Sequence, residues 1–589
     1  MATTFEDALV VGILDANISM ATGYPGFPIT SIFEKVIERS FQASTKIVAT
    51  WCINESVALG NAIGACLSGA RSVVFVKNHG LNTMQDMLIN LSYLGTRAGM
   101  LIISADDIGV KASHNESDSR LYGPLNMIPV IEPATVKDAY QYVSYGLEVS
   151  EDYKTPVILR ICGSQLQQIG ELNVRLQKSY TPMYNFKPKD GKCYYIGPDY
   201  YRQMKFSMIE RIEKIKSLKN NNFNNFILGN CDIGIICSGN SYNKVLKVFP
   251  NAKIFKLGLV YPIILEDLEQ FFSHVNDLKK VWIIEETENL IEYQITEFLY
   301  KKTFKNSNSH SLKEVIGKDS LSKVGEISEK ELMKIIGNMN DGESSESTIG
   351  HENKQFVKLC PACPARAILL SLKLLNITAI GDAGCTALGT LNPFKSVHCC
   401  VCMGASIPIA AGINRITENK VVALIGDSAF FHSGILGLLN EIGHSTNLLT
   451  IIFNNKNAGM TGGQIVNIGT QDCVNSSDKI KTILQAAGVL KENVKVIKES
   501  LNLTKIKSQI SKMYQENKGS KVLIIEGQCR YNIRDISDIA IKVGNAVKMI
   551  KGSMLDPGCF AYQKVDMNTH KLYTKYCGNC RICEILVNK

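Results

Sequence analysis

The stretch from residue 421 to residue 464, VVALIGDSAFFHSGILGLLNEIGHSTNLLTIIFNNKNAGMTGGQ, places two buried strands on either side of one helix. The first strand ends at Gly426-Asp427-Ser428 and the second ends at Asn454-Asn455. The carboxyl ends of parallel strands meet at one edge of a sheet, and ligands bind at that edge in open α/β folds. The pattern therefore predicts an α/β unit with a polar ligand site at this edge.

The polar residues of this stretch suit a magnesium ion bound to a diphosphate. Asp427 offers a carboxylate, and Asn455 and Asn457 offer further oxygen ligands. Magnesium takes few protein oxygens and completes its coordination with phosphate and water. Gly462 and Gly463 allow the backbone to approach a diphosphate closely. The competing interpretation is an ordinary strand–helix–strand with a tight turn.

Composition fits an ordinary soluble chain. The 589 residues are 45% hydrophobic and 20% charged, and the net charge of +9 is spread over Lys/Asn-rich stretches rather than focused in one patch. No apolar run reaches the ~18 residues that a membrane span needs, and the N-terminus lacks the basic region of a signal peptide. We therefore expect a cytoplasmic protein that binds neither membrane nor nucleic acid.

Alternation of strand and helix patterns recurs three times along the chain, which predicts an α/β fold with parallel sheets. A polar, basic connection and a linker rich in Gly, Ser and Asn separate the three units, and a cysteine-containing tail follows them. The predicted segments are 1–165, 166–225 (connection), 226–335, 336–355 (linker), 356–530 and 531–589 (tail).

Motifs throughout the chain match one protein family. They are WCINESVALGNAIGACLSGAR (51–71), ISADD (103–107), HNESDSR (114–120), KLGLVYP (256–262), WIIEET (282–287), CPACPARA (360–367), GDAGCTALG (381–389), CVCMGASI (400–407) and GDSAFFHSGI (426–435). Together they resemble the α subunit of indolepyruvate:ferredoxin oxidoreductase, a thiamine diphosphate-dependent 2-oxoacid:ferredoxin oxidoreductase. The resemblance covers nearly all residues.

The resemblance implies a role for each segment. The first unit would be the pyrimidine-binding thiamine diphosphate domain, and the unit 356–530 would be the diphosphate- and magnesium-binding domain. The unit 226–335 would be a transketolase-C-terminal-like α/β domain, and the tail a reduced, degenerate ferredoxin-like domain. Because the cofactor would lie between a pyrimidine face and a diphosphate face, a homodimer within a larger heteromer is expected.

The resemblance also implies roles for individual residues. Glu55 would be the carboxylate that activates the aminopyrimidine ring, whereas without the family it reads as a solvated acid at a helix start. Arg120 would hold the carboxylate of the 2-oxoacid, and the alternative is a structural ion pair with Asp118 or Glu116. The remaining members of the cofactor site would be Gly426, Asp427, Ser428, Asn455, Asn457, Gly462, Gly463, Cys402, Met403 and Gly404.

Cysteines near the third unit and in the tail suggest different roles. Cys360 and Cys363 form a lone CxxC that lacks the second half of a metal site, and the resemblance makes this segment a wall of the cofactor pocket. The family tail carries two CxxCxxC runs, but this chain retains ligands for only one 4Fe–4S cluster. A structural zinc is the alternative for the same four thiolates, which are Cys559, Cys577, Cys580 and Cys583.

The resulting functional hypothesis is oxidative decarboxylation of an aryl 2-oxoacid of the indolepyruvate type. Coenzyme A would take the acyl group, ferredoxin would take the electrons, and a separate β subunit would complete the enzyme. Two alternatives are a non-oxidative thiamine diphosphate-dependent decarboxylase or carboligase and a non-catalytic partner subunit. The chain departs from the family at Phe27, where Thr is usual, and at His79, which lies one position later after Lys77.

Overall fold

The computed structural model divides the chain into two compact units, Met1–Ile349 and Gly350–Lys589. Within the described ranges, no helix is both long and apolar enough to cross a membrane. The described residues are 2–42, 47–113, 115–172, 198–219, 221–276, 278, 280–305, 314–337, 359–360, 363–400, 402–416, 420–464, 477–516, 519–529, 548–551, 562–564 and 569–572.

The first unit alternates strands and helices along its whole length. Its strands are β1 (Ala2–Thr4), β2 (Met20–Gly23), β3 (Val48–Trp51), β4 (Ser72–Lys77), β5 (Met100–Asp106), β6 (Val130–Ile131), β7 (Val157–Cys162), β8 (Ile169–Glu171), β9 (Asn225–Leu228), β10 (Gly234–Ser238), β11 (Lys253–Leu257), β12 (Leu259–Tyr261), β13 (Lys280–Ile284) and β14 (Glu314–Ile316). Its helices are α1 (Phe5–Asp15), α2 (Ile29–Gln42), α3 (Glu55–Leu67), α4 (Asn78–Thr83), α5 (Gln85–Leu94), α6 (Tyr122–Asn126), α7 (Val136–Tyr153), α8 (Pro198–Lys216), α9 (Gly239–Val248), α10 (Leu265–His274), α11 (Leu290–Lys305) and α12 (Glu329–Gly337).

A seven-stranded sheet in the order β12-β6-β7-β5-β4-β2-β3 forms the centre of the N-terminal part. Its strands are parallel, apart from β12, which runs antiparallel to β6. Every residue of β5 is buried, which is the near-continuous apolar pattern of a parallel sheet covered on both faces. This sheet carries Glu55 and Lys77 at the carboxyl ends of its strands.

A second sheet of the first unit follows the order β14-β13-β10-β11-β9. Its strands are parallel, apart from β9, which is antiparallel to β11. The strand β12 comes from the segment predicted as a separate domain, 226–335, yet it pairs with β6 of the first sheet. The N-terminal sheet therefore includes a strand from beyond the predicted connection, and the domain boundaries remain predictions.

The second unit contains a six-stranded sheet in the order β16-β15-β17-β18-β20-β19, with every neighbouring pair parallel. Its strands are β15 (Ala379–Gly381), β16 (Val397–Cys400), β17 (Val422–Gly426), β18 (Leu449–Asn454), β19 (Val494–Ile497) and β20 (Lys521–Glu526). Its helices are α13 (Pro364–Leu374), α14 (Ser406–Ile416), α15 (Asp427–Ala429), α16 (Ile435–Gly443), α17 (Ser477–Ala486) and α18 (Leu503–Gln515).

The tail contributes a small antiparallel sheet in the order β21-β23-β22. Its strands are β21 (Lys548–Lys551), β22 (Tyr562–Lys564) and β23 (Thr569–Leu572). The four tail cysteines lie outside the described residues, so the ferredoxin-like tail and its cluster remain predictions. Parallel sheets in both units confirm the predicted α/β class.

Candidate active site

Two neighbouring strand ends of the second unit bring together the residues predicted to hold magnesium. β17 and β18 are adjacent and parallel, with Gly426 opposite Phe453. Asp427 and Asn455 follow these strands and therefore lie at the same edge of the sheet. Asp427, Asn455 and Asn457 are all buried, at 1%, 6% and 1% exposure. These three polar side chains are thus buried at the strand ends rather than exposed on a surface loop.

The loop that carries both asparagines is folded back onto Asp427. The backbone amide of Lys456 donates a hydrogen bond to Oδ2 of Asp427 at 2.8 Å. Lys456 reaches this position with a φ of +66°, a conformation that costs free energy for a residue with a Cβ. Its ammonium is 3.0 Å from Oε1 of Glu526, at the end of β20. A strained backbone and an ion pair therefore fix the loop between two strand ends.

Several features of this edge fit a diphosphate with its magnesium. The hydroxyl of Ser428 is buried and finds no hydrogen-bond partner within the described part of the chain. A Cβ built on Gly426 would meet open space. Gly462 and Gly463 adopt φ values of +116° and +88°, which side chains disfavour. The structure thus leaves room and a polar group where the sequence predicts the diphosphate.

Asp382 holds the segment Cys402–Gly404, which is predicted to line the cofactor. Its carboxylate accepts hydrogen bonds from the backbone amides of Gly404 at 2.8 Å and Ser406 at 3.1 Å. Burial raises the pKa of Asp382 to about 6, while these two amides and the nearby His432 favour the ionised form. The sequence analysis missed Asp382, although it lies at a strand end inside the quoted GDAGCTALG motif.

A π-helical turn, Phe430–Gly434, holds the same segment from the other side. The hydroxyl of Ser433 donates to the carbonyl oxygen of Met403 at 2.7 Å, and Nδ1 of His432 lies 2.9 Å from that hydroxyl. Gly404 has a φ of +86°, and a Cβ there would lie 2.3 Å from Oγ of Ser433. The segment is therefore clamped between a carboxylate and a hydroxyl, and π-turns of this kind often occur at functional sites.

Four thiols lie near the loop that carries Asn455 and Asn457, called the metal loop below after its predicted role. Cys360 and Cys363 lie before α13, Cys385 lies after β15, and Cys529 lies after β20. The Sγ atoms of Cys529 and Cys385 lie 3.4 and 3.6 Å from the position that a Cβ on Gly459 would occupy. Burial raises the pKa of the Cys363 thiol, and the neighbouring thiols of Cys385, Cys360 and Cys529 raise it further. These cysteines come from three separate parts of the chain.

These four cysteines have the side-chain chemistry that an iron–sulfur cluster needs. Burial, together with the neighbouring Cys529 and Cys360, raises the pKa of Cys385 to about 12, and burial also raises the pKa of Cys363. Buried thiols of this kind stay protonated unless a metal stabilises the thiolate. No group of three or more His, Cys, Asp or Glu side chains surrounds a single metal position in the described ranges. Cluster thiolates bind four different irons and hence stand farther apart than the ligands of one ion.

Glu55 is the first residue of α3 and is buried, at 5% exposure. The side chain of Asn54 caps this helix by accepting a hydrogen bond from the amide of Val57 at 2.8 Å. A Cβ built on Gly80 of α4 would lie 2.8 Å from Cγ of Glu55. The interpretation of Glu55 as a solvated acid is therefore incorrect for this structure. Burial suits a carboxylate that must bond to one ligand group.

Arg120 is fully occupied within the protein, at 1% exposure. Its guanidinium donates to both carboxylate oxygens of Asp118, at 2.7 Å for the shortest contact, and to Oε2 of Glu285 at 2.9 Å. It also donates to the carbonyl oxygens of Glu286 and Glu288. These contacts correct the substrate-binding hypothesis, because they are those of the structural ion pair with Asp118. Arg120 ties the first sheet to the end of β13.

Two family models match the chain at these sites. The thiamine diphosphate-binding model of pyruvate flavodoxin/ferredoxin oxidoreductase matches residues 11–199. The C-terminal thiamine pyrophosphate-binding domain of thiamine pyrophosphate enzymes matches residues 382–525. The first range contains Glu55, and the second contains Asp382, Asp427 and the asparagine loop.

Curated relatives cover most of the chain. Indolepyruvate oxidoreductase subunit IorA of Pyrococcus horikoshii is 31% identical over 559 residues, which cover 86% of this chain and 84% of the relative. The chain belongs to the IorA family. Subunit IorA of Methanothermobacter marburgensis is 30% identical over 483 residues, covering 78% of this chain and 75% of the relative. A solved 2-oxoglutarate:ferredoxin oxidoreductase from Magnetococcus marinus aligns with 57% of this chain and 65% of its own, at 17% identity and a TM-score of 0.44.

Membership of the IorA family confirms the predicted family, the thiamine-type fold of both terminal domains and the enzyme class. The protein is a thiamine diphosphate-dependent 2-oxoacid oxidoreductase. The structure brings the predicted diphosphate and magnesium residues together within the second unit, and it places Glu55 in the first unit. Their roles, like the tail ligands, remain predictions.

Residues of both units received no role from the sequence alone: Lys77 in the first unit, and Asp382, Cys385 and Cys529 in the second. Asp382 follows a buried strand, which is a signal that a search of all strand ends would have found, whereas the strand neighbours that give Cys529 its place come from distant parts of the chain. Lys77 ends β4 and lies close to Glu55, and the sequence analysis noted it without assigning it a role. The CxxC of Cys360 and Cys363 is not isolated, because the thiols of Cys385 and Cys529 lie near Cys363.

Proposed function

We propose that this chain is the thiamine-binding subunit of an enzyme that oxidatively decarboxylates an aryl 2-oxoacid of the indolepyruvate type. Coenzyme A takes the acyl group, and ferredoxin takes two electrons in single steps. A separate β subunit completes the enzyme, and two copies of this chain form a homodimer within it. The names of the IorA relatives support the substrate and the partner subunit.

The observation that carries this proposal is the group of four thiols beside the metal loop. A 2-oxoacid oxidation that ends on ferredoxin needs a one-electron carrier near the place where the substrate is oxidised. Cys360, Cys363, Cys385 and Cys529 fit a 4Fe–4S cluster, which would supply that carrier. A non-oxidative decarboxylase or carboligase has no use for a cluster at this position.

The residues around the cofactor have distinct tasks in this proposal. Bound between these groups, thiamine diphosphate would supply the carbanion chemistry of decarboxylation and would hold the resulting electron pair. Asp427, Asn455 and Asn457 hold the magnesium, and the glycines after them leave room for the diphosphate. Glu55 receives a hydrogen bond from the aminopyrimidine and so promotes proton removal from the cofactor. Asp382 fixes the loop that faces the reacting atoms.

The tail is the proposed exit for electrons. Cys559, Cys577, Cys580 and Cys583 would hold a second 4Fe–4S cluster, from which ferredoxin is reduced. A structural zinc on the same thiolates is the alternative, since four cysteines also form a tetrahedral zinc site. The two metals differ in a simple assay, because zinc has no redox chemistry.

The test is an anaerobic assay of the purified chain together with its β subunit. Indolepyruvate, coenzyme A and oxidised ferredoxin are mixed with the enzyme, and ferredoxin bleaching and acyl-CoA formation are followed together. Ferredoxin reduction that requires both indolepyruvate and coenzyme A supports the proposal. Aldehyde formation without ferredoxin reduction favours the non-oxidative enzyme. Absence of any turnover with intact thiamine diphosphate binding favours a non-catalytic subunit.

A further inference from the structure

Lys77 ends β4, at the carboxyl edge of the N-terminal sheet, where ligands bind in open parallel sheets. Its aliphatic chain packs against the loop after β2: a Cβ built on Gly26 would lie 2.8 Å from Cδ and 3.0 Å from Cγ of Lys77. That loop runs from Tyr24 to Pro28 and contains Phe27, which is 41% exposed. Lys77 is therefore positioned by its stem beside a loop whose residues are buried apart from Phe27.

The ammonium of Lys77 forms no hydrogen bond and no ion pair with any described residue, although Lys77 is half-buried. Burial lowers the pKa of Lys77, and the carboxylates of Glu55 and Asp107 counteract this effect. Asp107 is already engaged, since its carboxylate accepts hydrogen bonds from the backbone amides of Lys111, Ala112 and Ser113. A half-buried cation without a direct partner is stabilised when a ligand supplies the counter-charge.

The other cation suggested for the substrate carboxylate is Arg120, and it cannot serve. Its guanidinium already donates hydrogen bonds to Asp118, Glu285 and two backbone carbonyls. Releasing it would leave Asp118 and Glu285 buried without their partner, which costs several kcal/mol in buried ion pairs. The ammonium of Lys77 can bind a carboxylate without first breaking an ion pair.

We propose that Lys77 binds the carboxylate of the 2-oxoacid, beside the Tyr24–Pro28 loop and on the same sheet edge as Glu55. The inference rests on the proposed function for the identity of the acid, but the carboxylate site itself is a property of the first unit. The ammonium donates charge-assisted hydrogen bonds to the substrate carboxylate, and the aryl group extends toward the exposed Phe27. Lys77 is thus a substrate-binding residue, distinct from the proton-handling Glu55.

Binding of two unreactive probes tests this assignment. Indole-3-propanoate and its neutral amide are titrated by calorimetry into the full chain loaded with thiamine diphosphate and magnesium. Lys77→Met should weaken binding of the propanoate about 10- to 100-fold and change binding of the amide by less than about twofold. Lys111→Met is the matched control, because Lys111 is 57% exposed and should leave both affinities unchanged.

A second variant keeps the test decisive if Lys77→Met does not fold. Gly26→Ala retains the charge but places a Cβ against the flexible Lys77 stem. It should therefore weaken binding of the propanoate more than binding of the amide. Equal affinity of the wild-type chain for the two probes, absence of binding included, would overturn the proposal. An equal loss of affinity for both probes in Lys77→Met would also overturn the proposal, and would assign Lys77 to the support of Glu55. Because no turnover is measured, a failure of the proposed reaction does not affect this result.

Discussion

At the scale of residues, three buried carboxylates, one in the first unit and two in the second, are held in three different ways. Asp427 accepts a backbone amide from its own metal loop. Asp382 accepts two amides from the segment that it clamps. Glu55 begins a helix, where the helix dipole favours a negative charge. Burial alone therefore does not define a catalytic acid, and the groups around each carboxylate decide its task.

Replacement of Glu55 by glutamine tests the proton-handling role. Glu55→Gln should still bind thiamine diphosphate, because the metal loop lies elsewhere in the chain, but should lose turnover about 10²- to 10⁴-fold. Calorimetry with the cofactor and the anaerobic ferredoxin assay measure the two properties. Glu297→Gln, which removes only a surface ion pair with Lys301, serves as the control. Wild-type turnover in Glu55→Gln would remove Glu55 from catalysis.

Asp382 should make stability depend on pH in a defined window. Its pKa is raised from 3.8 to about 6 by burial, so the folded state holds this proton more tightly than the unfolded chain does. Its contribution to stability is fully present below about pH 4 and is lost as the pH rises through about 6. At about 1.4 kcal/mol per pKa unit, the loss is on the order of 3 kcal/mol.

Urea unfolding of the wild type and of Asp382→Asn at a series of pH values from 4 to 7 checks this prediction. The asparagine cannot titrate. The unfolding free energy of the wild type should therefore decrease relative to that of Asp382→Asn as the pH rises across this range. Two curves that stay parallel would show that the carboxyl group titrates normally in the folded state.

At the scale of elements, strand ends explain both what the sequence predicts and what it leaves out. Asp427 and Asn455 were predictable because a single helix joins β17 to β18, and the two strands are neighbours in the sheet. Cys529 was not predictable, because no local sequence pattern shows that β20 pairs with β18 as well as with β19. The partnership of Arg120 with Glu285, 165 residues away, was beyond any local pattern for the same reason.

The metal loop depends on one residue in a left-handed conformation. Lys456→Val places a β-branched side chain at a φ of +66°, which should cost about 1–2 kcal/mol and shift the loop. Magnesium-dependent affinity for thiamine diphosphate should fall about tenfold, by calorimetry. Asn376→Val is the matched control, since Asn376 has a φ of +54° and lies before β15, at the opposite edge of the sheet. It should lower stability similarly and leave cofactor affinity unchanged.

If Lys456→Val and Asn376→Val have equal effects on cofactor affinity, the loop conformation does not hold the metal. If neither variant loses stability, the left-handed backbone at these positions is not strained. Both results are read from one pair of melting curves and one pair of titrations.

At the scale of the whole molecule, the central claim is that electrons leave the thiamine site through the cysteines of this chain. The sequence alone predicts one 4Fe–4S cluster in the tail and hence about four irons per chain. We propose a second ligand set in Cys360, Cys363, Cys385 and Cys529, whose thiols come from three distant segments and lie near the loop that carries Asn455 and Asn457. We therefore expect about eight irons per chain, half of them held by the inner thiols.

The most direct test is iron quantitation with low-temperature EPR on the anaerobically purified chain and on two variants, Cys385→Ser and Cys580→Ser. The account predicts that each variant loses about half of the iron, and that indolepyruvate produces a reduced-cluster signal in the wild type that Cys385→Ser weakens. About four irons that persist in Cys385→Ser and vanish in Cys580→Ser, or zinc in place of iron, would contradict it.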